Sequence, residues 1–189
     1  MGLSQRLAEK NNNERPHALQ VWGKVKTMEN KNLFNFNLLT ISQDGYEIFM
    51  DSTMGHLMTH ERDYFNNFMP EMAKLLSKTN IEGKPFMFVE GEADAIIGFN
   101  RLVETTEVDS TYWAPRPERN FDSRLVTGRE PEATKTITVG ICKHREYGIY
   151  CIFTAFPGPK APKELNDPRL TDAERPEAEA FWATHALIA

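Results

Sequence analysis

Apolar and polar positions alternate most cleanly late in the chain. From Thr134 to Cys142, Ile137, Val139 and Ile141 interleave with Thr136, Thr138 and Gly140, and Tyr147 to Phe156 is β-branched and aromatic. This two-residue period marks strands with one face in a core, joined here by a charged turn. If the hairpin is centred on Glu146, Thr138 lies opposite Thr154, and Cys151, Phe153 and Ala155 join the buried face. A slip of one residue buries Thr154 instead, and the pattern leaves both registers open.

Earlier segments follow the same logic. Gln20 to Lys26 alternates as a strand, as does Leu33 to Ile41, where Phe34, Phe36 and Leu38 share a face. Asp44-Gly45 is a turn signal before a strand over Tyr46 to Met50. Leu57, Tyr64, Phe65, Phe68, Met72, Leu75 and Leu76 predict a helix that Pro70 kinks or divides. Pro85 to Glu90 and Ala95 to Val103 read as strands paired around Gly91. Thr111 to Pro131 holds Pro115, Pro117 and Pro131 with Arg116, Arg119, Arg124 and Arg129, the composition of a long, basic, ordered loop or lid. Residues 1–15 read as a loose arm. A Pro-rich connection over 157–175 leads to a last helix from Pro176 to His185, with Pro176 in the tolerated first turn. Phe181, Trp182, Leu187 and Ile188 would dock that end onto the domain. The elements mix without regular βαβ alternation, which predicts a single α+β domain, a mostly antiparallel sheet with packed helices.

Composition narrows the class. The 189 residues fit one ordinary domain, and 40% hydrophobic residues with twelve Phe, five Tyr and three Trp supply an aromatic core. The net charge of -5 lacks the basic footprint typical of nucleic-acid binders, so any such footprint would be local. Two cysteines, Cys142 and Cys151, make no disulfide framework. No apolar run reaches membrane-spanning length, and Met1 to Asn13 has no signal-peptide core, so a cytoplasmic protein is expected.

The known catalytic motifs are mostly missing. His56 and His60 sit at i and i+4 of a predicted helix, but Leu57 follows the first where a zinc protease places Glu, so no metal is expected there. Acid–base work without metal suits the pair better. Glu90, Glu92 and Asp94 read as a solvated hairpin turn around Gly91 rather than a Mg²⁺ site. GxGxxG, GxxxxGK and GxSxG are absent, and no cofactor is expected.

The run Phe153-Thr154-Ala155-Phe156-Pro157-Gly158-Pro159, with the strand from Lys135 to Gly140 before it, resembles the closing hairpin of the barnase–EndoU–colicin–RelE group of ribonuclease-like folds. The resemblance covers this end of the chain alone, and nothing upstream of about Asn80 shares it. It implies metal-independent RNA cleavage, in which a base takes the ribose 2′-hydroxyl proton, an acid protonates the leaving 5′-oxygen and cations steady the phosphate. Thr154 then holds the last-strand hydroxyl position, and Lys135 or Arg124 supplies the cation. His56 and His60 are the acid–base pair by role. Arg116, Arg119, Arg124 and Arg129 would bind the phosphates of RNA, and Tyr112, Trp113 and Phe121 would stack its bases. Two other readings stand beside this one. The first is a non-catalytic binding or inhibitor protein on the same kind of fold, with a protein partner. The second is a small enzyme acting on a nucleotide or other phosphorylated small molecule, held between the sheet and the Arg116–Arg129 segment.

Overall fold

The computed structural model describes residues 36–51, 57, 62–116 and 119–189. In chain order these form β1 (Phe36–Ile41), β2 (Glu47–Asp51), α1 (Phe68–Ser77), β3 (Phe86–Glu92), β4 (Gly98–Asn100), β5 (Leu102–Glu104), β6 (Thr111–Pro115), β7 (Asp122–Val126), β8 (Glu132–Thr134), β9 (Thr136–Lys143), β10 (Tyr150–Pro157), α2 (Arg175–Thr184) and β11 (His185–Ile188). Helices and strands are thus both present, as the pattern predicts. The predicted strand over Gln20 to Lys26 and the arm over residues 1–15 lie outside the described residues.

The strands build a five-stranded sheet in the order β1-β2-β10-β9-β3, a four-stranded sheet in the order β5-β11-β7-β6, and a pair of β4 with β8. Both larger sheets are mixed. β10 runs parallel to β2, and β11 runs parallel to β7, while their other ladders are antiparallel. The strongly patterned β9 and β10 take interior positions in the strand order, where most of their residues are buried.

One face of the five-stranded sheet carries the core. Ile48, Val89, Val139, Ile141, Tyr150, Ile152 and Ala155 cluster with Phe68, Met72 and Leu76 of α1. Each of those helical side chains, fully buried, contributes about 1.5–3 kcal/mol. Gly91 makes that packing feasible, because a Cβ there would stand 2.5 Å from Leu75 Cδ1. It is therefore a packing position inside β3, and the predicted turn around it does not form. β3 pairs instead with β9, and the stretch after it divides into β4, which pairs with β8, and β5, which pairs with β11.

The predicted helix around Pro70 is also shorter than its apolar spacing implied. α1 begins at Phe68, so Pro70 falls in the first turn, where its missing N–H costs no hydrogen bond. Tyr64, assigned to the same helix, instead forms an isolated bridge to Gly98, and its hydroxyl donates to the Ala155 carbonyl.

The 111–131 segment is not a lid. Thr111–Pro115 and Asp122–Val126 pair as an antiparallel hairpin at the edge of the four-stranded sheet, with Trp113 opposite Arg124. β11, which begins at His185 where the predicted last helix ends, closes that sheet between β5 and β7. A second, smaller core of Val103, Val126 and Ala186 lies there, and Trp182 is buried as expected.

Candidate functional site

Thr154, the expected last-strand hydroxyl, is buried, with 8% of its surface exposed. It registers with Gly140, not with Thr138. Pairing begins at Tyr150 with Lys143, and a shift between Ile152 and Thr154 leaves Phe153 as an extra residue. The shift turns Ile152 and Ala155 to the core and sends Cys151 and Thr154 to the opposite face. A bulge of this kind is invisible to a strict two-residue period. Thr138 is fully buried and donates to the Gly158 carbonyl at 2.7 Å.

The structure does not bring the expected cations to Thr154. Lys135 lies roughly 16 Å of extended chain from Gly140, the register partner of Thr154. Its Nζ donates to the Asp94 carbonyl at 3.2 Å. The arginines serve the smaller sheet and the loops around it. Arg116 donates to Ser123 Oγ at 3.1 Å and to Glu164 Oε1 at 3.2 Å. Arg124 donates to the carbonyls of Trp182 and His185, where α2 ends. Arg129 contacts both oxygens of Asp109, at 3.2 and 3.1 Å. Arg119 lies 5.8 Å from the centroid of the Phe121 ring, against which it stacks. Tyr112 and Trp113 are both part exposed, but as neighbours in β6 they point to opposite faces and form no single stacking platform. His56 and His60 lie outside the described residues.

The two thiols stand directly opposite each other, Cys151 against Cys142, and both are free. Burial pushes Cys142 up, and burial, with its neighbours Cys142 and Asp51, pushes Cys151 up to about 11. Both are protonated at neutral pH, which removes the thiolate that nucleophilic or redox chemistry needs. Glu90 and Glu92, read as part of a turn, lie in β3 and accept from uncharged donors. Glu90 Oε2 takes the Lys160 N–H at 2.7 Å and the Thr138 hydroxyl at 3.4 Å, and Glu92 Oε1 takes the Thr136 hydroxyl at 2.6 Å. Among the described residues no group of three or more His, Cys, Asp or Glu is arranged to hold a metal ion.

A different constellation stands on the face of the five-stranded sheet turned away from the core. Phe86 and Phe88 alternate along β3, and the bulged Phe153 reaches across to them. Phe86 and Phe153 stack with centroids 5.0 Å apart and planes at 23°. Phe88 meets both rings edge-on, at 5.5 Å in each case. Gly140 leaves the room for this, since a Cβ there would stand 2.3 Å from Phe153 Cζ. Lys160 Nζ sits 4.7 Å from the Phe88 centroid. Phe86 remains 54% exposed. The sequence carried a signal for part of this cluster, because Pro85 to Glu90 reads as a strand and a strand puts Phe86 and Phe88 on one face. Nothing in it placed Phe153 there. Comparison of the chain with protein-family models, with curated proteins and with solved structures found no match.

Proposed function

We propose that this protein is a non-catalytic binding module that recognises a partner through the outer aromatic face of its five-stranded sheet. The observation that carries this reading is the Phe86–Phe153 stack, outside the core and open on the Phe86 side. Clustered exposed aromatics are the common anchors of binding surfaces, because large rigid rings bury much area at little entropic cost. The arginines bear on the alternatives. Arg116 and Arg129 already neutralise Glu164 and Asp109, and Arg124 is committed to two carbonyls. Redirecting them to a phosphate, whether of RNA or of a small ligand, would strand those buried partners. Cys142 and Cys151, opposite each other yet unbridged, suit a reducing cytoplasm.

The ribonuclease reading rests on the resemblance of the terminal strand and on His56 and His60. It is tested by incubating the pure protein with mixed cellular RNA in EDTA, beside Thr154→Ala and His60→Ala. The binding reading expects intact RNA in every lane at high protein concentration. Cleavage by the natural protein that disappears in the folded variants would replace it with metal-independent nuclease chemistry.

A further inference from the structure

The outer sheet face carries an apolar row that crosses all five strands. Leu38 registers with Phe49, Phe49 with Cys151, Cys151 with Cys142, and Cys142 with Phe86. Both ends of this row are open, Leu38 at 52% and Phe86 at 54% exposure, while Cys151 at its centre is buried beneath its neighbours. Four inter-strand steps make it roughly 19 Å long, the reach of about six extended residues.

The charged side chains at the described strand positions of this face have one sign. By the alternation that sets the row, Glu47 and Asp51 of β2 and Glu90 and Glu92 of β3 point to the same side. Glu47 lies on one flank of the row, and Asp51, Glu90 and Glu92 lie on the other. Among the described strand positions of the face there is no Lys or Arg. Lys160 approaches from the loop after β10 and sets one positive charge over the Phe88 ring, fewer than the carboxylates that flank the row. The donors to Glu90 and Glu92 are hydroxyls and a backbone N–H, which leave the carboxylate charges in place.

We propose that this face binds a cationic, apolar polypeptide segment. Its apolar side chains lie on the open ends of the row and against the Phe86–Phe153 stack, and its Lys and Arg side chains meet Glu47, Glu90 and Glu92. Nucleic acid is the wrong partner for the surface, because rings suited to stacking are bordered by charges that repel phosphate. The inference rests on the binding reading above and names the partner class for that site.

The test is fluorescence anisotropy with a labelled peptide of roughly eight residues alternating Lys with Leu, a length that spans the row. The same peptide with Glu for Lys serves as the control. The proteins are the natural chain, Phe86→Ser, and the double variant Glu90→Gln with Glu92→Gln, each checked for fold by circular dichroism. The Lys peptide should bind the natural chain, weaken about tenfold or more in either variant and weaken with added salt, while the Glu peptide should not bind. Equal binding to the natural chain and Phe86→Ser would reduce the effect to diffuse attraction by an acidic protein and overturn the proposal. So would no binding at millimolar peptide, or tighter binding of poly(U). A dimer in sedimentation that Phe86→Ser dissociates would assign the face to a second copy of the chain. Intact RNA with no peptide binding sinks this inference alone, whereas RNA cleavage sinks the reading beneath it.

Discussion

Two glycines show how single positions hold the fold, and they differ in what can yield. At Gly140 the obstacle is a ring, since an added Cβ meets Phe153 Cζ at 2.3 Å. At Gly98 it is backbone, with the Asp63 carbonyl oxygen at 2.0 Å and Pro157 Cγ at 2.7 Å. Gly140→Ala should lower stability by about 1–3 kcal/mol, the usual cost of overpacking, and Gly98→Ala by more. Chemical denaturation reads both. Removing the ring with Phe153→Ala should recover most of the Gly140→Ala loss and none of the Gly98→Ala loss, a coupling that a double-mutant cycle isolates. If Phe153→Ala gave no recovery, the seating of that ring over Gly140 would be wrong.

At the scale of elements, α2 shows how arginines expected to bind substrate became structural. The helix is preceded by Thr171-Asp172-Ala173-Glu174, a capping-box pattern. Glu174 Oε2 accepts from the Thr171 N–H at 3.0 Å and its hydroxyl at 2.7 Å, and both Glu174 oxygens accept from Lys163 Nζ. At the other end, the Arg124 guanidinium from β7 satisfies the carbonyls of Trp182 and His185. Helix ends leave such carbonyls without partners, and a cation there also suits the helix dipole. Arg124→Ala should cost about 2 kcal/mol in thermal or chemical denaturation, the range of hydrogen bonds to a charged group. Peptide binding at Phe86, which belongs to the other sheet, should not change. A loss of peptide binding with unaltered stability would restore Arg124 to the ligand site.

For the molecule as a whole, the shifted carboxylates among the described residues all move the same way. A hydrogen bond from Lys163, then those from Thr171, bring Glu174 down to about 2 from an ordinary 4.5. Asp94 is lowered chiefly by Lys74, Asp109 by the Thr106 backbone and Asp167 by Arg169. At Asp44 burial alone would raise the value, but hydrogen bonds from Glu82, Ser42 and Ile81 outweigh it. A carboxylate with a lowered native pKa is charged in the fold while the unfolded chain already takes up protons. Its contribution is complete above the unfolded value and is lost as pH falls through the native one. Stability should therefore hold above about pH 5 and fall steadily toward about pH 2, where Glu174 titrates. Denaturation midpoints across that window check this, and Glu174→Gln should flatten the lower part of the curve. A profile unchanged by Glu174→Gln would mean that the Lys163–Glu174 contact is not kept in solution.

The sequence by itself determined the elements whose periodicity is local. The strands that became β9 and β10, the Asp44-Gly45 turn and the last helix follow from side-chain alternation, from glycine at a positive φ of 86° at Gly45, and from proline placed early in a helix. The strand over Pro85 to Glu90 was equally legible, as was the presence of arginines between Thr111 and Pro131. Other outcomes needed the tertiary structure. Only packing against Leu75 explains why Gly91 continues a strand instead of turning it, and only the bulge at Phe153 sets the register that places Thr154 against Gly140 and builds the aromatic face. The fate of the arginines was also a tertiary matter. Their partners Glu164, Asp109 and the carbonyls of Trp182 and His185 lie 20 to 61 positions away along the chain, and no local pattern reports which charge a folded chain brings to which.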